Sequence, residues 1–544
     1  MKKGGCSWAW LSNRAKSRRL VAGVTAFLPA LFWGCATPAK QGANPEETTA
    51  AKMLAEARSS HRPLEERAAL YLRAAATTAP MLGAGTEPSL ARETYNDAAA
   101  ELTILLRESE NARLWNRPVT LSDGGTTFRL QMRPASKTVW SPDYFTSFQL
   151  ASAAKEKRVE EVNQVPGVGG ELVGVREMVP REHFAPRVGI SAPVTSTLDF
   201  RGTNATLTLR RPAEEPKADI QGKVRPLAAN YSAPLVYYPH VNETLVGLMG
   251  ALFVNKYTDK IGLYFVEPYD PNRIPVVLVH GLISTPQMWL NVVNELQKDP
   301  VIRQRYQFWV FAYPTGNPVL YSALRLREEL AKVDRLYPNH KGYVLVSHSM
   351  GGLLSRLQAT TFTRADWEQV MGDTARRFFA ESQPGELVSR ALLFQANPRV
   401  KRIVFICTPH RGSEMALGPL GKIGIRLISL PATLVSVLTS EVNPAILMSI
   451  NGGRIPNSVT NLEPNAPYMK VMNEEPIQAP YHTILGDRGK DDCPTCSDGV
   501  VAYWSAHLNG AQSQLIVHGP HGSAERPETI AEVDRILHLH LKQD

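Results

Sequence analysis

The fold of this chain is decided by the stretch Val344-Leu345-Val346-Ser347-His348-Ser349-Met350-Gly351-Gly352. An apolar, β-branched run enters a turn of small residues that has a serine at its apex. This pattern is a variant of the G-x-S-x-G turn, which bends so tightly between a strand and a helix that the flanking positions must be small. Ser347 stands at the first small position and Gly351 at the second. The pattern predicts that the Ser349 hydroxyl is held above a sheet.

Strand and helix patterns alternate on both sides of this turn. Upstream, the apolar run 274–279 ends in His280-Gly281-Leu282, which suits a buried parallel strand. Further strands are predicted at 307–313, 401–408, 481–486 and 513–518, and helices at 286–298, 319–336, 350–360 and 527–541. Such alternation predicts an α/β fold with a doubly wound, mostly parallel sheet.

These pieces resemble the α/β-hydrolase fold and, within it, bacterial lipases, esterases and the GPI inositol-deacylase-like hydrolases. The motifs that carry the resemblance are Val279-His280-Gly281-Leu282, Ser347-His348-Ser349-Met350-Gly351-Gly352, Thr408-Pro409-His410-Arg411-Gly412-Ser413, Asp498-Gly499-Val500-Val501 and the region of His521. They occur in the order of the family and cover roughly residues 260–544, about half of the chain. The resemblance implies a serine hydrolase and says much less about its substrate.

A serine nucleophile needs a base and an acid. A free hydroxyl reacts poorly, so an imidazole must take its proton and a carboxylate must orient that imidazole. In this fold the chain order is serine, acid, histidine. The histidines that follow Ser349 are His410, His482, His507, His518, His521, His538 and His540. We assign the base to His521, which lies further than His518 into the loop after the last strand; His518 is the alternative.

Two aspartates compete for the role of the acid. Asp487 directly follows the penultimate strand, a position that many hydrolases of this fold use, and Asp491 and Asp492 come soon after it. Asp498 lies in Ser497-Asp498-Gly499-Val500-Val501, which matches the Asp-Gly-x-Val signature of lipase acids. We therefore assign the acid to Asp498.

An oxyanion hole requires two backbone N–H groups that point at the developing negative charge. The residue after the nucleophile supplies one, hence Met350, and the resemblance implies Leu282 for the other. His280 is expected to brace the oxyanion loop, His348 to be a packing residue, and His410 to be a loop brace or a pocket wall. We expect no cofactor and no metal ion.

Apolar insertions indicate the chemistry of the substrate. Residues 413–475 interrupt the alternation at the point where lipase-like chains place a lid or an acyl-binding cap, and 415–447 within them are apolar and helix-like. A mobile lid and a fixed helical cap both remain open. Either would line the pocket with hydrocarbon, which favours an acyl ester or lipid over a sugar or phosphate. A second helical insertion, about 361–397, is expected to form another wall.

The amino terminus predicts export. Basic residues precede the apolar run Leu20–Trp33, and Gly34-Cys35-Ala36 follows. This arrangement resembles a lipoprotein signal, with Phe32 where leucine is usual. We expect residues 1–34 to be a signal peptide and Cys35 to carry the lipid anchor, with ordinary cleavage or a retained anchor as alternatives. The protein is then expected in the bacterial envelope, membrane-anchored and facing the periplasm or exterior.

The charge of the chain does not indicate a nucleic-acid partner. The net charge of +9 comes partly from the signal, and the sequence has no basic stripe with interleaved aromatic residues.

Two cysteines lie close together before Asp498. Cys493-Pro494-Thr495-Cys496 could be a redox pair, half of a zinc site or a local disulfide. A disulfide that pins the acid loop is favoured in an oxidising compartment.

The length of 544 residues indicates several domains. We divide the chain into the signal (1–34), a tether (35–44), a helical segment (45–115), a β-rich domain (116–255) and the catalytic domain (256–544). The helical segment resembles a single tetratricopeptide-like helix pair, which is not a repeat array. The sequence predicts no role for residues 45–255 and no oligomeric state.

Two classes of function follow from these features. The first is an esterase or lipase that forms an acyl-enzyme on Ser349. The second is a non-catalytic envelope protein that uses a hydrolase fold for binding or scaffolding. An acyltransferase would use the same three residues as the esterase, with an alcohol in place of water.

Overall fold

The structure, a computed structural model, describes two halves of the chain with gaps between and within them. The described residues are 44–59, 61–109, 114–115, 117–134, 140, 143–154, 159–177, 182–186, 189–237, 261–414, 435–436, 440, 457–489 and 492–543. The predicted signal peptide, Cys35 and nearly all of the tether lie outside these ranges, as does much of the predicted cap. None of the helices in these ranges has the length and apolar character needed to cross a membrane.

Three helices and a six-stranded sheet make up the first half, and the first helix packs on the other two. The helices are α1 (Pro45–Ala57), α2 (Leu64–Thr78) and α3 (Leu90–Glu108), and a short α4 (Ser232–Val236) follows the strands. The strands are β1 (Val119–Ser122), β2 (Thr127–Pro134), β3 (Ser147–Leu150), β4 (Gln164–Val165), β5 (Gly170–Arg176), β6 (Ile190–Arg201), β7 (Asn204–Arg210), β8 (Lys217–Ile220), β9 (Lys223–Pro226) and β10 (Ala229–Asn230). The sheet order is β1-β2-β7-β6-β5-β3, and β4 pairs with β10 and β8 with β9 outside it.

Small residues bring α3 close to this sheet. Ala98 and Ala99 are fully buried and belong to the same apolar core as Leu198 and Leu207 of the sheet. The Tyr95 hydroxyl donates to the carbonyl of Leu198 at 2.6 Å. The alanine-rich pattern of the helical segment therefore serves close helix-to-sheet packing.

A seven-stranded sheet carries the second half. Its strands are β11 (Gly262–Phe265), β12 (Ile274–Val279), β13 (Tyr306–Ala312), β14 (Tyr343–His348), β15 (Val400–Ile406), β16 (Tyr481–Asp487) and β17 (Ser513–His518). The strand order is β11-β13-β12-β14-β15-β16-β17. Only the edge strand β11 pairs antiparallel, and all other neighbours are parallel. This architecture is a mixed α/β fold with a mostly parallel sheet, and it fits the α/β-hydrolase fold broadly.

Helices cover both faces of this sheet. They are α5 (Leu290–Leu296), α6 (Pro300–Arg305), α7 (Val319–Leu336), α8 (Met350–Arg356), α9 (Arg364–Met371), α10 (Asp373–Glu381), α11 (Leu387–Leu392), α12 (Ser458–Asn461), α13 (Pro467–Glu474), α14 (Tyr503–Ala506) and α15 (Pro527–Leu541). Val277 and Val279 belong to the apolar core under α7 and α8, whereas Val276 and Leu278 belong to the core under α5 and α15. Because successive side chains of a strand point to opposite faces, a strand covered on both sides is apolar throughout.

The two halves meet through aromatic and ionic contacts. Phe184 stacks on Phe265 of the edge strand with ring centroids 4.7 Å apart. Arg211 pairs with the buried Asp270 at 3.0 Å. Residues Asn44–Asp544 accordingly form one compact unit. The domain boundaries drawn from the sequence at 115 and 255 stay predictions.

Candidate active site

The turn at Ser349 has a strained backbone. Ser349 lies between β14 and α8 with φ 53° and ψ −127°, in a region that residues other than glycine rarely adopt. Its N–H donates to the carbonyl of Ile406 at 2.8 Å, and its own carbonyl accepts from the N–H of Gly352 at 2.9 Å. Strain of this kind persists where the surrounding structure fixes it, and it is concentrated at functional sites.

Three glycines allow the chain to pass this closely. A Cβ on Gly351 would collide with backbone carbonyls at the end of β12, and one on Gly352 would collide with the side chain of Thr408. A Cβ on Gly281 would lie 2.9 Å from the Cβ of Ser349. Real side chains do not approach this closely, so the small residues of both motifs are a packing requirement of the turn.

Ser349, His521 and Asp498 form one hydrogen-bonded chain. His521 Nδ1 lies 2.7 Å from Asp498 Oδ2, and His521 Nε2 lies 2.8 Å from the Ser349 hydroxyl oxygen. A carboxylate can only accept, so Nδ1 carries the hydrogen and Nε2 is free to accept the serine proton. The Asp498 side chain is buried, whereas that of His521 is 20% exposed. The acid is therefore shielded from solvent, whereas the base is partly accessible to it.

Asp498 is held as a carboxylate by the donors around it. Burial by itself raises the pKa of this carboxyl group, but hydrogen bonds from His521, Val501 and Val500 outweigh burial and hold the pKa below its usual value. The backbone N–H groups of Val500 and Val501 donate to its Oδ1 at 2.8 and 2.7 Å. The Asp-Gly-x-Val motif thus supplies the turn that solvates the acid with backbone groups.

Asp487 and His518, the alternative candidates for the acid and the base, lie next to each other. The Asp487 carboxylate accepts from the N–H of Gly489 at 2.7 Å, and the Asp487 carbonyl accepts from the N–H of Gly519, also at 2.7 Å. The side chain of His518 is 79% exposed, with its Nδ1 4.0 Å from Asp487. Asp487 therefore shapes the turns after β16 and β17, and the structure does not bring it to His521.

Met350 and Leu282 are the residues that the sequence predicts for the oxyanion hole, and this assignment stays a prediction. Met350 begins α8 directly after the nucleophile, and Leu282 lies in the loop after β12. Within the described residues, no acceptor is bonded to the backbone N–H of either. The loop is fixed from below, because the Tyr313 hydroxyl donates to the His280 carbonyl at 2.8 Å and the two rings stack at 4.4 Å. The bracing role expected of His280 fits these contacts, and the Tyr313 partner gave no sequence signal.

Two further histidines beside the turn are buried and neutral. Burial, with a smaller effect of the neighbouring His521, lowers the pKa of His348 to about 3. Burial also lowers the pKa of His410 well below its usual value, assisted by Arg356 and Arg411. His348 was expected only to pack, but its Nε2–H donates to the carbonyl of His521 at 2.7 Å. The signal for this contact was a histidine at the end of an otherwise apolar buried strand.

The remaining histidines lie away from the nucleophile. His482 is buried in β16 between Arg402 and Ser513, and His507 stacks on Tyr503. His540 lies in the last helix and is only 5% exposed. An amphipathic helix buries one stripe of residues, and His540 falls on the stripe that faces the sheet.

The cysteine pair before the acid is a disulfide. The structure joins Cys493 to Cys496, with Cα atoms 4.5 Å apart. The N–H of Tyr503 donates to the carbonyl of Cys496 at 2.9 Å, which ties this loop to α14. Of the three alternatives that the sequence left open, the structure contains the local disulfide, and it closes the loop immediately before Asp498.

Three groups in the described residues bring possible metal ligands together. They are His348, Cys407 and His521; Asp487, Cys493 and Cys496; and Asp299, Asp534 and His538. The first group includes the histidine of the Ser349–His521–Asp498 chain, and the thiols of the second are joined as a disulfide. In the third, His538 Nε2 lies 2.7 Å from Asp299 Oδ2.

The insertions are described unequally. Helices α9, α10 and α11 lie within the second insertion, where the sequence indicated helical structure. The cap at 413–475 is described only at 413–414, 435–436, 440 and 457–475. Its assignment as a lid or a fixed cap therefore stays a prediction.

Comparisons with known proteins return solved structures alone. No protein-family model and no curated protein matches the chain. The mature Bacillus licheniformis lipase BlEst2 is similar over 51% of this chain and 97% of its own, at 17% identity and TM-score 0.31. Staphylococcus hyicus lipase is similar over 50% of this chain and 96% of its own, at 14% identity and TM-score 0.30. The Pyrococcus furiosus esterase Pf2001 is similar over 49% of this chain and 82% of its own, at 16% identity and TM-score 0.26. These similarities are weak.

Proposed function

We propose that this protein is a serine hydrolase that cleaves carboxylic esters, with Ser349 as the nucleophile, His521 as the base and Asp498 as the acid. The observation that carries the proposal is the continuous chain of hydrogen bonds from Asp498 through His521 to Ser349, at 2.7 and 2.8 Å. Nucleophile, base and orienting acid in contact are the arrangement that activates a serine hydroxyl.

The reaction follows from the roles of these atoms. His521 Nε2 takes the hydroxyl proton as Ser349 Oγ attacks the ester carbonyl, and the N–H groups of Met350 and Leu282 are positioned to stabilise the oxyanion. The alcohol leaves with the proton from His521, and an acyl group remains on Ser349. Water, deprotonated by His521, then releases the acid and regenerates the hydroxyl. Asp498 stays ionised and stabilises the imidazolium throughout.

Substrate and location are further parts of the proposal. The apolar insertion at 413–475 supports an acyl ester or lipid as substrate, and the amino-terminal signal supports a lipid anchor on Cys35 in the cell envelope. A non-catalytic scaffold would need neither the strained serine nor a buried, fully hydrogen-bonded acid. Both are present in this chain.

Labelling with a fluorophosphonate tests the proposal, because this probe bonds only to an activated serine. The wild-type protein should be labelled at Ser349 and should hydrolyse p-nitrophenyl esters. Ser349→Ala should lose both activities by at least about a thousandfold, since triad members act as a unit. A folded Ser349→Ala protein that keeps wild-type labelling would place the nucleophile elsewhere. An added alcohol that diverts the acyl group from water would identify an acyltransferase.

A further inference from the structure

His348 contacts all three segments that make up the proposed site. They are the turn that carries Ser349 (the nucleophile turn), the loop after β12 that contains Gly281 (the oxyanion loop) and the loop after β17 that carries His521 (the base loop). His348 is the residue before the nucleophile, at the end of β14. Its ring lies against the oxyanion loop, because a Cβ on Gly281 would be 3.0 Å from His348 Nδ1. On the other side its Nε2–H donates to the carbonyl of His521 at 2.7 Å. Besides Ser349 itself, His348 is the side chain described above that touches the nucleophile turn, the oxyanion loop and the base loop together.

The base loop has few other attachments of this kind. The N–H of Gly519 donates to the carbonyl of Asp487 at 2.7 Å, and the Ser523 hydroxyl donates to the carbonyl of Pro520 at 2.5 Å. These bonds hold the loop where it leaves β17 and where it approaches the last helix. The carbonyl of His521 itself is held by His348. The loop is thus attached to the nucleophile turn at the residue that carries the base.

We propose that His348 is a positioning residue, which sets the distance between Ser349 and His521 by holding the backbone of the base through its Nε2–H. The proposal rests on the function proposed above. His348 takes no part in proton transfer, since its only described polar contact is to a carbonyl. Its effect on the reaction passes through the orientation of His521.

The electrostatics of His348 suit this role. Burial first, and the proximity of His521 second, lower the pKa of His348 to about 3. The ring is therefore neutral under ordinary conditions and carries its one hydrogen on Nε2, because the carbonyl opposite can only accept. A neutral ring also adds no positive charge beside the imidazolium that forms on His521 during the reaction.

A matched pair of variants isolates the hydrogen bond from the packing. His348→Gln places an amide N–H at nearly the same distance from the backbone, whereas His348→Met has the same length and shape without a donor. We expect the Met variant to lose about ten- to a hundredfold in kcat, because small displacements of a catalytic group have effects of this size. KM should change little, and the Gln variant should recover most of the lost rate. Its thermal midpoint should be close to that of the Met variant.

Two further measurements separate this inference from the proposed function. The rate of fluorophosphonate labelling at Ser349 should fall with kcat in the Met variant and recover in the Gln variant. The far-downfield proton resonance of His521 Nδ1–H needs no turnover, and it should be sharp in the wild type and the Gln variant and lost or broadened in the Met variant. His518→Gln, at an exposed position, controls for the loss of a histidine.

Equal rates and equal resonances in the Gln and Met variants would refute the positioning role. A wild type that is not labelled at Ser349 would instead refute the proposed function, and the resonance would still decide whether His348 holds the base. If the Met variant does not fold, His348→Asn replaces it, because its shorter amide does not reach the carbonyl of His521.

Discussion

Mild acid should destabilise this protein strongly, because three histidines around the site are buried in the neutral form. They are His280, His348 and His410, whose exposed fractions are 1%, 7% and 0%. Burial lowers the pKa of His280 to about 4 and that of His348 to about 3, and holds the pKa of His410 well below its usual value. In the unfolded chain all three titrate near the ordinary value of about 6.5.

The difference in proton binding between the folded and the unfolded protein sets the direction in which stability changes with pH. Between about pH 6.5 and about pH 4 the unfolded chain binds protons that the folded protein excludes, so the free energy of unfolding falls as the pH falls. His280 and His348 each contribute a loss of about 2 kcal/mol between about pH 8 and about pH 5, hence about 4 kcal/mol for the two, and His410 adds a loss in the same direction. This is comparable to the whole stability of many proteins, which is about 5–15 kcal/mol. Burial raises the pKa of Glu214 to about 7, and that carboxyl group acts in the opposite direction.

Urea unfolding followed by tryptophan fluorescence at the two pH values gives the change in stability. A pH indicator in weak buffer gives the number of protons that the protein takes up when it unfolds. Because other groups also titrate, the comparison between variants is the sharper test. His348→Gln should take up about one proton fewer and lose about 2 kcal/mol less on acidification, since one titrating group is gone. His518→Gln, at an exposed position, should keep the wild-type dependence. If His348→Gln also keeps it, the ring is not neutral in the folded protein and the argument is wrong.

Two further predictions concern the acid, the base and the anchor. His521→Ala should reduce kcat about as much as Ser349→Ala, and Asp498→Asn should reduce it by roughly a hundredfold or more. Asp487→Asn and His518→Ala should have much smaller effects. Steady-state kinetics with a p-nitrophenyl ester measures these changes, and a larger effect of Asp487→Asn than of Asp498→Asn would overturn the choice of acid. Cys35→Ser should remove a diacylglyceryl mass from the mature amino terminus, as read by mass spectrometry, and a mature wild-type terminus at any other residue would refute the lipoprotein signal.

The sequence determined the parts of the site that depend on neighbours along the chain. The apolar run before Ser347 and the small residues after it fix a strand, a tight turn and a helix, whatever else surrounds them. Asp-Gly-x-Val likewise contains its own donors, because Val500 and Val501 bond the carboxylate two and three residues away. Motifs of this kind are local, and a single sequence is enough to recognise them.

The tertiary structure decided which residues of similar loops meet. Asp487 ends β16 and Asp498 lies in the loop after it, and His518 and His521 lie three residues apart, so the sequence separated them only by motif and by position in the loop. The path of each loop brings Asp498 and His521 into one hydrogen-bonded chain with Ser349, whereas Asp487 and His518 lie next to each other outside that chain. The contact of His348 with His521 joins residues 173 positions apart, and the burial of His540 depends on which stripe of the last helix faces the sheet. Such contacts are set by the packing of strands and helices that are distant in sequence, which no local pattern encodes.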